Sequence, residues 1–277
     1  MRDIGANLAG KQFAKDLGEV ITRARQAGVE FVDVTGTDVE SSRRAVELAR
    51  AHPGFLGATA GAHPHGARNL DEAGLLALLE MLALPQVLMC GEMGLDYARD
   101  FSEPAAQRRA FEAQLDLAEE CGKPLFLHCR DAFDDFVSIM DRKPQLWERA
   151  IVHCFTGGRD EARAYVERGA HVGVTGWIAD KRRNGPLLDA MVSIPLARLL
   201  LETDAPYLMP VNKPKSQTRD RNEPANLGWV ARAVAAAMGL PEQDVARAAL
   251  ANADRLIGRG PAPAAALSAR KASRLEG

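Results

Sequence analysis

The chain has 277 residues, a formal net charge of −2 at pH 7 and 47% hydrophobic residues, so no global field of either sign draws it to nucleic acid or to an anionic surface. No amino-terminal apolar run has the form of a signal peptide and no stretch of about 20 apolar residues could span a bilayer, which implies a cytoplasmic protein with no membrane partner. Its length suits one α/β barrel as well as two smaller domains.

Residues 3–8 read as a first strand. Residues 11–26, with Phe13, Leu17, Val20, Ile21 and Ala24 near helical spacing and Gly28 behind them, read as a first helix. A strand over 29–35 follows, and Asp38 is placed to cap the helix that carries Val46, Leu48 and Ala49. The third strand, 55–62, runs into Gly61-Ala62-His63-Pro64-His65. Leu75, Leu76, Leu78, Leu79 and Leu82 form the apolar face of the third helix, and Val87 begins a fourth strand that ends in Gly91-Glu92-Met93-Gly94-Leu95-Asp96. Proline at 104 and glycine at 122 bracket a long helix. Pro124 leads into the apolar run Leu125 to Leu127, which stops at His128-Cys129-Arg130. After a helix over 133–140 the pattern repeats, with Ile151 and Val152 ending in His153-Cys154. A helix over 159–168 and strands over 170–175 and 199–201 complete the alternation, the last strand ending in Glu202-Thr203-Asp204. A Pro, Lys, Arg and Asn loop over 205–224 precedes helices at 225–238 and 241–256. Apolar periodicity stops at Gly260, so 1–260 forms a single domain and 261–277 a disordered tail.

Eight strand candidates alternating with helices predict a (β/α)8 TIM barrel, in which reactive groups sit at the carboxyl ends of the strands. An open doubly wound sheet is the alternative, but it calls for a glycine-rich phosphate loop after the first strand, and Ala9-Gly10-Lys11 is not one. His63, His65, Glu92, His128, His153 and Asp204 all fall at or just past a strand end, on one rim. Neighbouring strand residues face opposite ways, so if His128 and His153 point inward, Cys129 and Cys154 point away and ligation is by imidazole. Cys90 and Cys121 complete the set of four cysteines, which shows no CxxC spacing and reads as reduced thiols.

Each of these residues alone has a plainer reading. A single histidine is commonly a hydrogen-bonded core residue, Glu92 can cap a turn, Asp204 can begin one, and His63 and His65 can be a loop pair held extended by Pro64. Arg130, Lys213, Lys215, Arg219 and Arg221 can be solvated surface charge, and Phe101, Phe155, Trp177 and Tyr207 can be core residues or platforms for bases. Their joint placement favours a mixed shell, Glu92, His128, His153 and Asp204, suited to magnesium, manganese or zinc in a hydrolytic site.

Five segments, Gly61-Ala62-His63-Pro64-His65, Gly91-Glu92-Met93-Gly94-Leu95-Asp96-Tyr97, Leu127-His128-Cys129-Arg130, His153-Cys154-Phe155-Thr156-Gly157 and Glu202-Thr203-Asp204-Ala205-Pro206-Tyr207, resemble in order the signatures of the TatD-type deoxyribonucleases. Arg221-Asn222-Glu223-Pro224 resembles that family's late motif, and the likeness spans residues 1–258. The resemblance implies a metal-dependent barrel of the amidohydrolase superfamily that hydrolyses phosphodiesters. It also implies a 3'-5' exonuclease, here a monomer, on single-stranded DNA and RNA, acting in DNA repair or degradation with Mg2+ as the favoured ion and Mn2+ or Zn2+ as alternatives. Carried onto this chain, it implies Glu92, His128, His153 and Asp204 as metal ligands. Asp204, Glu92, His63 and His65 become the catalytic set, and His63, His65, Arg130, Arg221 and Asn222 the substrate contacts.

Many relatives end the first strand in His-x-His, where this chain has Gly5-Ala6-Asn7; fewer imidazoles lean the site toward magnesium and put a second ion in question. Two other functions suit the same residues: an esterase that removes D-amino acids from tRNA, and a metal-dependent binding protein without catalysis.

Overall fold

The computed structural model describes residues 1–99, 101–214 and 221–259; the tail expected at 261–277 lies outside them. Eight short strands, β1 (Arg2–Ala6), β2 (Phe31–Val34), β3 (Leu56–Ala60), β4 (Val87–Asp96), β5 (Leu125–Arg130), β6 (Ala150–Val152), β7 (His171–Val174) and β8 (Leu199–Leu201), pair in sequence order, all parallel. Asn7 N donates to Ala205 O at 2.7 Å and Asp204 N to Gly5 O at 2.9 Å, which brings the eighth strand's exit back against the first and closes the (β/α)8 barrel. The strands are apolar on both faces because both are covered, the inner by the barrel's own side chains and the outer by helices.

The helices are α1 (Leu17–Gln26), α2 (Val39–Ala51), α3 (Glu72–Leu82), α4 (Pro104–Cys121), α5 (Phe133–Met140), α6 (Arg159–Glu167), α7 (Gly185–Ala190), α8 (Leu227–Met238) and α9 (Glu242–Ile257). Local signals set several ends: Asp38 accepts from Ser41 N at the start of α2, and Gly122 takes a left-handed φ of 69° after α4. The first helix starts at Leu17, six residues later than its apolar spacing suggested, because residues 10–16 form single turns such as Phe13 N to Gly10 O at 3.1 Å. The short α7 carries no legible amphipathic period and was not anticipated. Among the described residues no helix is long and apolar enough to cross a membrane, and all four cysteines are free.

Most of the core lies between strands and helices. A smaller cluster fills the barrel itself: Ile4, Met89, Phe126, Ile151 and Leu200 point inward and are closed from below by Ala253 and Ile257 of α9. This inner layer fixes the parity of the strand ends above it. Two residues beyond Phe126, Ile151 and Leu200 come His128, His153 and Glu202, which therefore also point inward, at the carboxyl rim.

Candidate metal centre

Glu92 reaches the same interior by a different device. In the β4–β5 pairing Gly91 lies beside Phe126 and Met93 beside Leu127, so Glu92 is the extra residue of a bulge. The bulge resets the parity of β4, and Gly94 and Asp96 then pair with His128 and Arg130 and face inward with them. Gly94 is obligatory here: its φ is 143° and a Cβ would lie 1.9 Å from His128 O.

Three donor atoms converge at this level. Glu92 Oε1 lies 3.0 Å from His128 Nδ1 and 2.8 Å from His153 Nε2, and the two ring nitrogens are 3.4 Å apart. Two further carboxylates orient the rings from behind. Glu202 Oε2 lies 3.3 Å from His153 Nδ1, and Asp96 Oδ2 is 3.4 Å from His128 Nε2, a buried nitrogen that makes no hydrogen bond among the described residues. A carboxylate behind an imidazole holds the proton on the far nitrogen and turns the near lone pair into the site, the usual support of a metal-binding histidine. Glu202 in turn needs space: a Cβ on Gly5 would lie 2.7 Å from its Oε2 and one on Gly173 2.5 Å from its Oε1.

His63 and His65 follow β3. His63 Nδ1 accepts the amide proton of His65 at 3.1 Å, so the neutral ring carries its proton on Nε2, 3.2 Å from Glu92 Oε1. Ion-binding atoms of His63, Glu92 and His128 lie within 4.8 Å of one another, yet a ring arranged this way is a proton donor first and a ligand only after rearrangement. His65 Nε2 contacts Asp96 Oδ2 at 2.7 Å. Asp96 itself is locked, its Oδ1 accepting from Ala98 N and Arg99 N at 3.0 and 3.1 Å.

Asp204 stands at the edge of this group in the left-handed region, φ 51°, which aspartate tolerates better than most residues. Its Oδ1 accepts from Asn7 Nδ2 at 3.0 Å, so the first-strand position that lacks an imidazole is used for a neutral hydrogen bond. Burial, opposed by His153 and reinforced by Glu92 and Glu202, pushes the Asp204 carboxyl up to about 7. Burial also works to raise Glu92, but His153 and His63 and the hydrogen bonds from His128 and His153 outweigh it and hold Glu92 well below its usual range. Burial would lower His153 and His128, but Glu92 with Glu202 raises the first and Asp96 with Glu92 the second. His63 is lowered by its burial.

A cavity of ≈ 860 Å³ opens over these atoms and is lined by His63, His65, Glu92, His128, Arg130, His153 and Asp204. Arg99 and Arg130 line it too, and neither guanidinium has a carboxylate partner among the described residues. Two residues expected at the substrate do not line it. Arg221 pairs with Asp16 at 2.6 Å and lies over the Phe13 ring, and Asn222 is buried, donating to Thr203 O at 2.9 Å and Tyr207 O at 2.7 Å. Lys213 donates to Asn226, while Lys215 and Arg219 lie outside the described residues. Cys129 and Cys154 both contribute to the cavity lining, and the Cys154 thiol lies 3.9 Å from Thr175 Oγ1.

Sequence reasoning passed over Asp96 and Glu202 as site residues. Glu202 was findable, since it precedes Asp204 by two and follows an inward Leu200 by two; Asp96 was not, because its direction depends on the bulge at Glu92. The donor set suits a divalent cation on its chemistry alone: carboxylate oxygen and imidazole nitrogen on separate rigid strands, each ring backed by a second carboxylate.

The family model described as TatD related DNase matches residues 2–258. The chain is 48% identical over 236 residues, 85% of its length and 90% of the relative's, to a protein of Edwardsiella piscicida named 3'-5' ssDNA/RNA exonuclease TatD. It is 43% identical over 257 residues to the protein of that name from Salmonella typhimurium, covering 93% of this chain and 98% of the other. The crystal structure of YJJV, a TatD homologue from Escherichia coli k12, superposes with a TM-score of 0.84 at 29% identity, over 93% of this chain and 97% of that one.

Proposed function

Since the chain belongs to the TatD related DNase family, we propose that it is a metal-dependent exonuclease that removes nucleotides from the 3' end of single-stranded DNA and RNA, with magnesium as its ion. The observation that carries this reading is the meeting of Glu92 Oε1, His128 Nδ1 and His153 Nε2 within 3.4 Å, beneath a cavity that also holds Asp204, Arg99 and Arg130. These three side chains, with Asp204 at the edge, would hold the cation. Bound there, a divalent ion lowers the pKa of water and offsets phosphate charge.

The rest of the work falls to the protein's own groups. Asp204, lining the cavity beside the donor cluster and held by Asn7 Nδ2 at 3.0 Å, is placed to take a proton from the attacking water. The His63 Nε2 proton, 3.2 Å from Glu92 Oε1 here, would pass to a phosphate oxygen once Glu92 is engaged by the cation, and Asp96 holds His65 at 2.7 Å. Arg99 and Arg130 supply positive charge to the strand's backbone. The cavity, ≈ 860 Å³, has room for a few units of a single strand. The missing imidazole at Asn7 and the oxygen-rich surroundings lean the choice toward magnesium.

A 5'-labelled single-stranded oligonucleotide in magnesium should shorten stepwise, stop with EDTA, and stop at a 3'-terminal phosphorothioate. Asp204→Asn should keep the fold and stop the reaction. The reading fails if wild-type protein leaves the 3' end intact in magnesium and manganese, or if Asp204→Asn degrades it at the wild-type rate.

A further inference from the structure

Four aromatic residues lie near or beyond the rim, and their surroundings separate them. Phe155 is buried, Phe101 rests on His65 with ring centroids 4.8 Å apart, and Trp177 carries the Arg183 guanidinium 3.9 Å from its ring centre. Tyr207 differs from all three. Of the large apolar side chains left exposed among the described residues, it is the one that lines the cavity, and it is 56% exposed. No other ring or cation among the described residues stacks on it.

Exposure here is not looseness. Tyr207 N donates to Asp204 O at 3.0 Å and Tyr207 O accepts from Asn222 Nδ2 at 2.7 Å. Asn222 is itself saturated: Nδ2 also donates to Thr203 O at 2.9 Å, and Oδ1 accepts from Glu223 N at 2.9 Å and Asn226 Nδ2 at 2.8 Å. The ring is thus open to solvent but fixed at its backbone, three residues from the proton-accepting carboxylate. Anchored at its backbone and open at its ring, Tyr207 can receive a flat partner, which is what a stacking platform requires.

We propose that Tyr207 is the nucleobase platform of the site, stacking on the base of the terminal nucleotide while the adjoining phosphodiester lies over Glu92, His128 and His153. This rests on the exonuclease reading and deepens it by locating a contact for the base. Every base offers a π face, so the platform is tolerant of sequence; a base must be unpaired to swing onto a ring in the cavity wall, so it selects single-stranded ends.

The test uses an oligonucleotide with 2-aminopurine at its 3' terminus, bound in EDTA so that nothing is hydrolysed. Wild-type protein and Tyr207→Phe should quench the fluorescence, Tyr207→Leu should not, and its Kd should rise about 5- to 150-fold. In magnesium, Tyr207→Leu should raise KM by the same factor and leave kcat within about threefold. On a strand whose 3'-terminal nucleotide is abasic, wild type and Tyr207→Leu should have equal KM, an equality that general damage to the loop would not produce. Equal quenching by wild type and Tyr207→Leu overturns the platform, as does an undiminished Tyr207→Leu penalty on the abasic end. If wild type quenches but shortens no strand in magnesium, the exonuclease reading falls while the stacking contact stands.

Discussion

Glu202→Gln isolates the support of the metal centre from the centre itself. Glutamine has the size of glutamate, so the space left by Gly5 and Gly173 stays filled, and its carbonyl oxygen can still accept the proton of Cys154 N. That backbone donor fixes the orientation: with the oxygen toward Cys154, the amide nitrogen faces His153 Nδ1, where Glu202 Oε2 stood at 3.3 Å. An amide nitrogen donates, so Nδ1 must accept, and the ring proton moves to Nε2, the atom that lies 2.8 Å from Glu92 Oε1. The ligand lone pair is then lost without any ligand having been replaced. Both side chains are essentially sealed from solvent, at 3% and 0% exposure, so water does not screen the change. Supports of this kind are worth about 10- to 100-fold in metal affinity, or about 1.4 to 2.7 kcal/mol. Manganese titration of the EDTA-treated protein, followed by the resonance signal of the free ion, reads that loss directly, with a thermal melt to establish that the fold survives. An affinity within about twofold of wild type, in a folded variant, would refute the tautomer argument and reduce Glu202 to a packing role.

Proton and metal compete at this rim, and the sign of the effect on stability is fixed by the shifts. Asp204 is raised to about 7 from an unfolded value near 3.9, so its contribution to stability is present at low pH and is lost as pH climbs toward 7. His153 and His128 are also raised, and what they contribute below about 6.5 is lost as pH passes their folded values. Glu92 is lowered, but its window lies below about pH 4.5, outside the range of interest. Saturating manganese should therefore raise Tm more at about pH 8 than at about pH 5.5, and equal shifts at the two values would contradict the scheme. Arg221→Ala should lower Tm while leaving KM for single-stranded DNA within about twofold, because its charge is engaged with Asp16 and its plane with Phe13. Arg99→Ala and Arg130→Ala should do the reverse, each raising KM and reducing the salt dependence of binding by about one unit of slope. A KM effect of Arg221→Ala matching that of Arg130→Ala would restore it to the substrate site.

The fold was legible because its strands are apolar runs that stop abruptly at polar groups. Phe126 to His128 and Ile151 to His153 announce both the strand and its reactive end, and simple alternation places both imidazoles inside. Glu92 was legible as a strand-end carboxylate, but not the bulge that aims it, since nothing in Gly91-Glu92-Met93 distinguishes a bulged strand from a straight one. Arg221 and Asn222 mark the opposite limit. A motif places residues near a site without saying which way they face, and the partners that hold Arg221 are Asp16 and the Gln12 carbonyl, some two hundred positions earlier in the chain. Loop positions depend on such distant contacts, whereas strand ends depend on neighbours two residues away.

That difference follows the chemistry. Around Glu92 the barrel gathers Asp96, Glu202 and Asp204 within reach of three imidazoles, with Asp3 just below, accepting from Thr203 N at 2.9 Å and raised well above its usual range by burial. So many carboxylates cannot all be ionised in a buried mouth without positive charge beside them. Without the ion the shifts all run toward the protonated forms: His128 and His153 are raised, which favours positive charge, and Asp204 is raised, which favours removing a negative one. A cation displaces those protons and takes over their electrostatic task, so the pattern that looks strained without metal is the one metal binding requires. Asn7 fits the same logic. It gives Asp204 a hydrogen bond at 3.0 Å without adding a charge, whereas a cationic imidazole at that position would hold the carboxyl lower in the metal-free protein.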